Sequence, residues 1–214
     1  MTIYILDQST QKCAEFLDDK SLDQQIKDIG QLLCNVIHEG LNSTGFNRCK
    51  DSDKHPTSHC EIPLRLKYTG NMAAFAEWVE ISEDNFIFLY NLGIACCKEY
   101  NYRYHGGHPI SDTLNHKYKK ILEFCKNFLL VPDKRINQLE LTPIPTAMPE
   151  KYILPFDGDP LKSRTVFDYH VKIKGNIACC DVIKSYRNYY NNKLSNRSAW
   201  TVWTVSKLPE WALI

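Results

Sequence analysis

The chain has 214 residues, of which 43% are hydrophobic and 24% charged, and its formal net charge is +1. That length and composition exclude a disordered chain and allow a core that needs no disulfide staples. The near-neutral total excludes a protein whose whole surface grips nucleic acid, yet residues 151 to 214 carry ten Lys/Arg against five Asp/Glu, +5 against −4 for residues 1 to 150.

The opening run MTIYILDQ reaches Asp7 before an apolar core of useful length develops, so no secretory signal is expected. No stretch approaches the roughly 20 apolar residues that span a bilayer, so no membrane association is expected either. The nine cysteines are an odd number and include the adjacent pairs Cys96-Cys97 and Cys179-Cys180. Adjacent cysteines seldom bridge each other, and the expectation is buried thiols in a reducing, intracellular setting.

Taken in order, Ile3 to Leu6 is a short apolar run with the character of a strand, ended by Asp7. Thr10 is placed to cap a helix from Gln11 to Asp19, with Cys13, Phe16 and Leu17 facing inward. Ser21-Leu22-Asp23-Gln24 has the form of a capping box, which predicts a helix from Leu22 to His38 that buries Ile26, Ile29, Leu33, Val36 and Ile37 and ends at Gly40. Residues 41 to 63 are polar and broken by Gly45, Pro56 and Pro63, and read as a loop. Cys49, His55, His59 and Cys60 are zinc-type ligands within it, but adjacent His59 and Cys60 and the missing C-x-x-C favour a solvated loop without metal.

The stretch from Ala73 to His108 has the longest apolar stripe and the densest polar finish. Phe75, Trp78, Val79, Phe86, Leu89, Tyr90, Gly93, Ile94 and Cys97 recur at helical spacing. Ser82 followed by Glu83 and Asp84 suits a helix start, so two helices are predicted, the second running to Tyr104 and stopping at Gly106-Gly107. Its last turns carry Glu99, Tyr100, Tyr102, Arg103 and Tyr104, with His108 beyond. Glu99 and Arg103 are four apart and pair on one face without any ligand, which leaves a structural ion pair and a binding site both open.

Helical spacing returns from Ser111 to Leu130. Residues 131 to 163, with Pro143, Pro145, Pro149 and Pro155, form an irregular surface belt. Thr165 to Ile173 alternates apolar and polar residues, as a half-buried strand does, and pairing with the N-terminal run is expected. Asp181 is placed to cap a helix holding Val182, Ile183, Tyr186, Arg187, Tyr189 and Tyr190 and ending at Asn191-Asn192. Interleaved Tyr, Trp, Lys and Arg near the C-terminus suit base stacking and phosphate contact, and equally suit docking of a terminal segment on the core.

The fold class expected is therefore mainly α, a single domain of about six helices around one core with a small two- or three-stranded β element. No Walker, dinucleotide-fold, serine-hydrolase or zincin motif occurs. No cofactor is expected, and a non-enzymatic role is favoured over an enzymatic one.

Five blocks resemble a family of small, largely uncharacterised proteins of tailed phages and large DNA viruses. They are Ile5-Leu6-Asp7 with Asp19-Lys20 and Gln31-Leu32-Leu33; Trp78 with Ser82, Asn85 and Leu89; and Glu99-Tyr100 with Arg103-Tyr104 and His108. Thr142-Pro143 with Pro145 and Met148-Pro149-Glu150 forms the fourth, and Tyr186 to Tyr190 with Trp203 and Pro209-Glu210-Trp211 the fifth. The departures are Ser21 and Asp28 where relatives carry His and Glu, Ala73-Ala74 where they carry His-Pro, and Glu80 where they carry Arg. Residues 164 to 174 look like an insertion. The resemblance implies a divergent viral scaffold, in host cytoplasm or virion, that has dropped part of an ancestral activity. A more distant likeness of layout, to phage pyrimidine-dimer DNA glycosylases, transfers no residue.

Two functions follow as expectations. In the first, a nucleic acid or nucleotide is bound in a cleft of Arg103, Tyr104, Tyr186, Arg187, Asp19, Lys20 and Asn85, with Glu99 and His108 as candidate proton-transfer groups. In the second, the chain is a structural or interaction protein. Glu99, Arg103 and Arg187 then form a buried ionic network, and the 164 to 174 strand offers an edge to a protein partner. Both require the end of the central helix to meet the Tyr186 to Tyr190 segment in space.

Overall fold

The computed structural model describes residues 3–43, 72–105, 140–157, 167–173, 176–196 and 208–212. Expectations placed on the helix Ser111 to Leu130, on residues 44 to 63, on His108 and on Trp200 and Trp203 lie outside them. The described part is mainly helical. Five α-helices, α1 (Thr10–Phe16), α2 (Asp19–Ser43), α3 (Met72–Ile81), α4 (Glu83–His105) and α5 (Val182–Ser195), surround one apolar cluster. An antiparallel pair, β1 (Asp168–Ile173) and β2 (Asn176–Asp181), completes it.

Local chemistry explains most of the boundaries. Ser9, one residue before the expected Thr10, caps α1: its Oγ accepts from the Lys12 amide. Helix α2 starts three residues before the expected Leu22. Asp18 is the reason, since its Oδ1 accepts the Ser21 amide and its carbonyl accepts the Leu22 amide. The expected capping box at Ser21 is thus superseded, and the Ser21 hydroxyl donates to Asp18 Oδ2 at 2.6 Å. At its other end α2 continues through Gly40 to Ser43.

Ser82 does separate α3 from α4, as the residues predicted. Its Oγ accepts from the Asp84 amide and donates to the Glu140 carbonyl at 2.6 Å, so the break between the helices also holds the start of the belt. Buried Asn85 extends that attachment. Its Nδ2 donates to the Trp78 carbonyl and to Thr142 Oγ1, and its Oδ1 accepts the Thr142 amide at 2.8 Å. Residues 140 to 157 are irregular apart from the single 3-10 turn Glu150–Tyr152, and they bury Ile144, Ala147 and Met148 in the core.

The N-terminal run corrects the β expectation. Ile3 to Leu6 is fully buried yet belongs to neither strand, because side chains answer its backbone. The Gln25 amide accepts from Tyr4 N at 2.8 Å and donates to Tyr4 O at 3.3 Å, and Arg187 Nε donates to Leu6 O at 2.7 Å. Strand β1 pairs instead with β2, whose other side meets Pro155, Phe156 and Leu154. Asp181 ends β2 and caps α5 through Lys184 N, as its position predicted.

Around this frame, Phe75, Phe86, Leu89, Leu92, Ile29, Leu33 and Tyr186 are fully enclosed. Each large apolar side chain so buried contributes about 1.5–3 kcal/mol. Among the described residues, no helix is long and apolar enough to cross a membrane.

Candidate functional site

The corner between α1 and α2 gathers Arg103, Glu99, Asp19 and Arg187 from among the polar residues that the sequence singles out. Helix α1 ends at Phe16, leaving its last carbonyls without intrahelical partners. Arg103, projecting from the last turns of α4, takes them. Its Nη1 donates to Leu17 O at 2.7 Å, and its Nη2 donates to Glu15 O at 3.0 Å and Ala14 O at 3.4 Å. The remaining donors reach carboxylates, Nε to Glu99 Oε1 at 2.7 Å and Nη1 to Asp19 Oδ1 at 2.9 Å. A guanidinium has five N–H groups, and these contacts use all of them. With Arg103 only 5% exposed and Glu99 4%, no donor remains to meet a phosphate. Positive charge beside carbonyls at a helix C-terminus is also favourable in its own right.

The Tyr186 to Tyr190 segment reaches the same corner from α5. Tyr190 donates its hydroxyl to Asp18 Oδ2 and accepts from Asp18 N, each at 2.6 Å. Burial, and then the Asp18 charge, push the Tyr190 phenol well above its usual range, so it acts as a neutral donor. Arg187 lies over Phe16 and Trp211, 5.9 and 5.0 Å from the ring centroids, and its Nη2 meets Asp7 Oδ2 at 3.1 Å. Trp211 in turn packs edge-on against Phe16 and Tyr190, and its carbonyl accepts from Asn191. The end of the central helix and the tyrosine-arginine segment thus meet at residues 14 to 19, from two sides.

The other proposed binding residues are dispersed. Tyr186 is fully buried, its hydroxyl donating to Pro145 O and accepting from Ala147 N, so it anchors the belt and presents no ring face to a base. Asn85 is spent on Trp78 and Thr142. Lys20 is exposed on the first turn of α2. Tyr104 is 44% exposed and tilts against Tyr100 at 4.5 Å. Its pKa is raised by partial burial and then by the charge of Asp19, against an opposing effect of Arg103. His108 and the set Cys49, His55, His59 and Cys60 lie outside the described residues. Among the described residues no group of three or more His, Cys, Asp or Glu is arranged to hold a metal ion.

Beside the sealed corner lies an open groove of about 890 Å³ between α1, the end of α4 and residues 208 to 211. Glu15, Lys98, Tyr102, Leu208, Glu210 and Trp211 are its informative walls. Tyr102 and Leu208 are 55% and 41% exposed, two of the four large hydrophobic side chains that stand out among the described residues. Sequence reading named Tyr102, Glu210 and Trp211 without giving them a site role and passed over Glu15, Lys98 and Leu208. The available signal was spacing: Lys98 and Tyr102 are four apart on α4, as are Glu99 and Arg103, so the two pairs occupy adjoining stripes, one outward and one inward.

Comparison with protein-family models, curated proteins and solved structures finds no match for this chain.

Proposed function

We propose that the chain is a non-enzymatic interaction protein whose partner docks in the groove between α1, the end of α4 and the C-terminal turn. One observation carries this reading. The charged groups best suited to chemistry or phosphate binding are committed to internal bonds, whereas exposed Tyr102 and Leu208 rim an open concavity. Isolated apolar side chains on a surface are ordinary, but two on the walls of one groove mark a contact surface. The viral family resemblance fits such a role: a helical scaffold that keeps its aromatic framework while polar positions such as Ser21, Ala73 and Glu80 differ. Nucleic-acid binding is the competing function, and it needs arginines that reach solvent.

The test is titration of the full chain with fluorescein-labelled oligothymidylate and with adenosine triphosphate at low and high salt. The interaction reading predicts no binding of either. Salt-sensitive binding that Arg103→Ala and Arg187→Ala abolish, while circular dichroism shows both variants folded, would establish the nucleic-acid function instead.

A further inference from the structure

We infer that the occupant of the groove is a basic, partly apolar peptide segment of a partner protein. This deepens the docking reading and rests on it. Among the described residues, the lining sets two carboxylates that reach the groove, Glu15 and Glu210, against one ammonium, Lys98, while the third, Glu99, is already paired with Arg103. The charges immediately behind the walls do not reverse that excess. Arg103 faces Glu99 and Asp19, and Arg187 faces Asp7, three carboxylates against two guanidiniums. Among the described residues, only Lys98 offers a cationic side chain on the lining itself, so an acidic segment or a phosphate chain meets net repulsion from these side chains.

The apolar half of the lining argues for the same class. Phe16, Tyr102 and Trp211 present aromatic surface, and Leu208 and Pro209 add aliphatic surface. Aromatic rings attract cations through their π faces, and the protein already uses this: the Arg187 guanidinium lies against Phe16 and Trp211. A lysine or arginine from a partner lays its aliphatic stem along such a wall and brings its head to a glutamate. Neighbouring Leu or Val side chains then cover Tyr102 and Leu208. A volume of about 890 Å³ exceeds what one side chain fills, so several consecutive residues are accommodated.

The test uses the full chain and three fluorescein-labelled probes: a short peptide alternating Lys and Leu, its Glu and Leu counterpart, and oligothymidylate. The Lys/Leu peptide is expected to bind alone, with affinity that falls as salt rises. The double variant Glu15→Lys, Glu210→Lys should weaken it about tenfold or more. Glu210 is exposed and Glu15 half-buried, and Glu15→Gln with Glu210→Gln serves as a milder pair whose fold circular dichroism checks. Tighter binding of the Glu/Leu peptide, released by Tyr102→Ser, would overturn the basic class while leaving the groove as a docking site. Binding of the Lys/Leu peptide that neither glutamate pair nor Tyr102→Ser alters would overturn both. Failure of all three probes to bind the folded chain would likewise overturn both.

Discussion

Two regions formed by the end of α4 behave in opposite ways. The inward stripe, Glu99 and Arg103, is sealed: every guanidinium N–H meets a carbonyl or a carboxylate, and the network closes the C-terminus of α1 onto the start of α2. The adjoining outward stripe, Lys98 and Tyr102, is one wall of an open groove. Two pairs of residues one position apart on the same helix thus do structural work in one case and line an open groove in the other. What decides between them is whether another element ends nearby with unsatisfied carbonyls.

The largest expected consequence of that difference concerns stability. Arg103→Ala removes five hydrogen bonds and leaves Glu99 buried without its cation, and it should cost about 3–5 kcal/mol in urea unfolding. A cost under about 0.5 kcal/mol would mean that the corner is not sealed.

A second effect separates the buried interior from the groove by pH. Burial pushes the Cys13 thiol from 9.0 to about 12, and burial likewise raises the Tyr186 and Tyr190 phenols. Each folded-state value is raised, so each group favours the folded state fully below its unfolded value. That contribution is lost as pH climbs through the folded value. Cys13 alone should therefore lower stability above about pH 9, by about 2–3 kcal/mol near pH 11, and the two phenols should add to the loss above about pH 10. Cys13 should resist alkylation until the chain unfolds. Rapid labelling of Cys13 in the folded chain at pH 8 would contradict this.

Arg187 sits between the two extremes. Its side chain is 28% exposed, with one carbonyl, one carboxylate and two rings as partners. Arg187→Ala should cost about 1–2 kcal/mol and loosen Trp211, visible as a red shift of tryptophan emission. The smallest effect belongs to the groove. Tyr102→Ser should change stability by less than about 0.5 kcal/mol while removing binding of the Lys/Leu peptide. A large destabilisation would place Tyr102 inside the packed structure and erase the contrast.

Helix starts were legible at Ser82 and Asp181, where apolar spacing and a capping residue coincided, whereas the expected caps at Thr10 and Ser21 gave way to Ser9 and Asp18. The Glu99–Arg103 pair was legible too, because positions four apart on a helix must be neighbours. What the chain could not announce was long-range compensation. Ile3 to Leu6 looks like a strand, but Gln25 and Arg187, distant in sequence, answer its backbone. Tyr186 and Asn85 carry polar groups typical of binding sites. Their partners at Pro145, Ala147 and Thr142 are visible only once the belt is folded against the helices. The groove escaped for a related reason, since its walls come from three separate segments and no spacing rule links them.

Hydrogen exchange at the Arg103 side chain, followed by NMR on the nitrogen-15-labelled protein, reads the sealed corner most directly. The Arg103 Nε–H resonance is predicted to persist in deuterated buffer long after that of Arg187 has vanished, disappearing only as the whole chain unfolds. An Arg103 signal lost as quickly as that of an exposed arginine would show a guanidinium open to solvent, and with it a corner available to ligands.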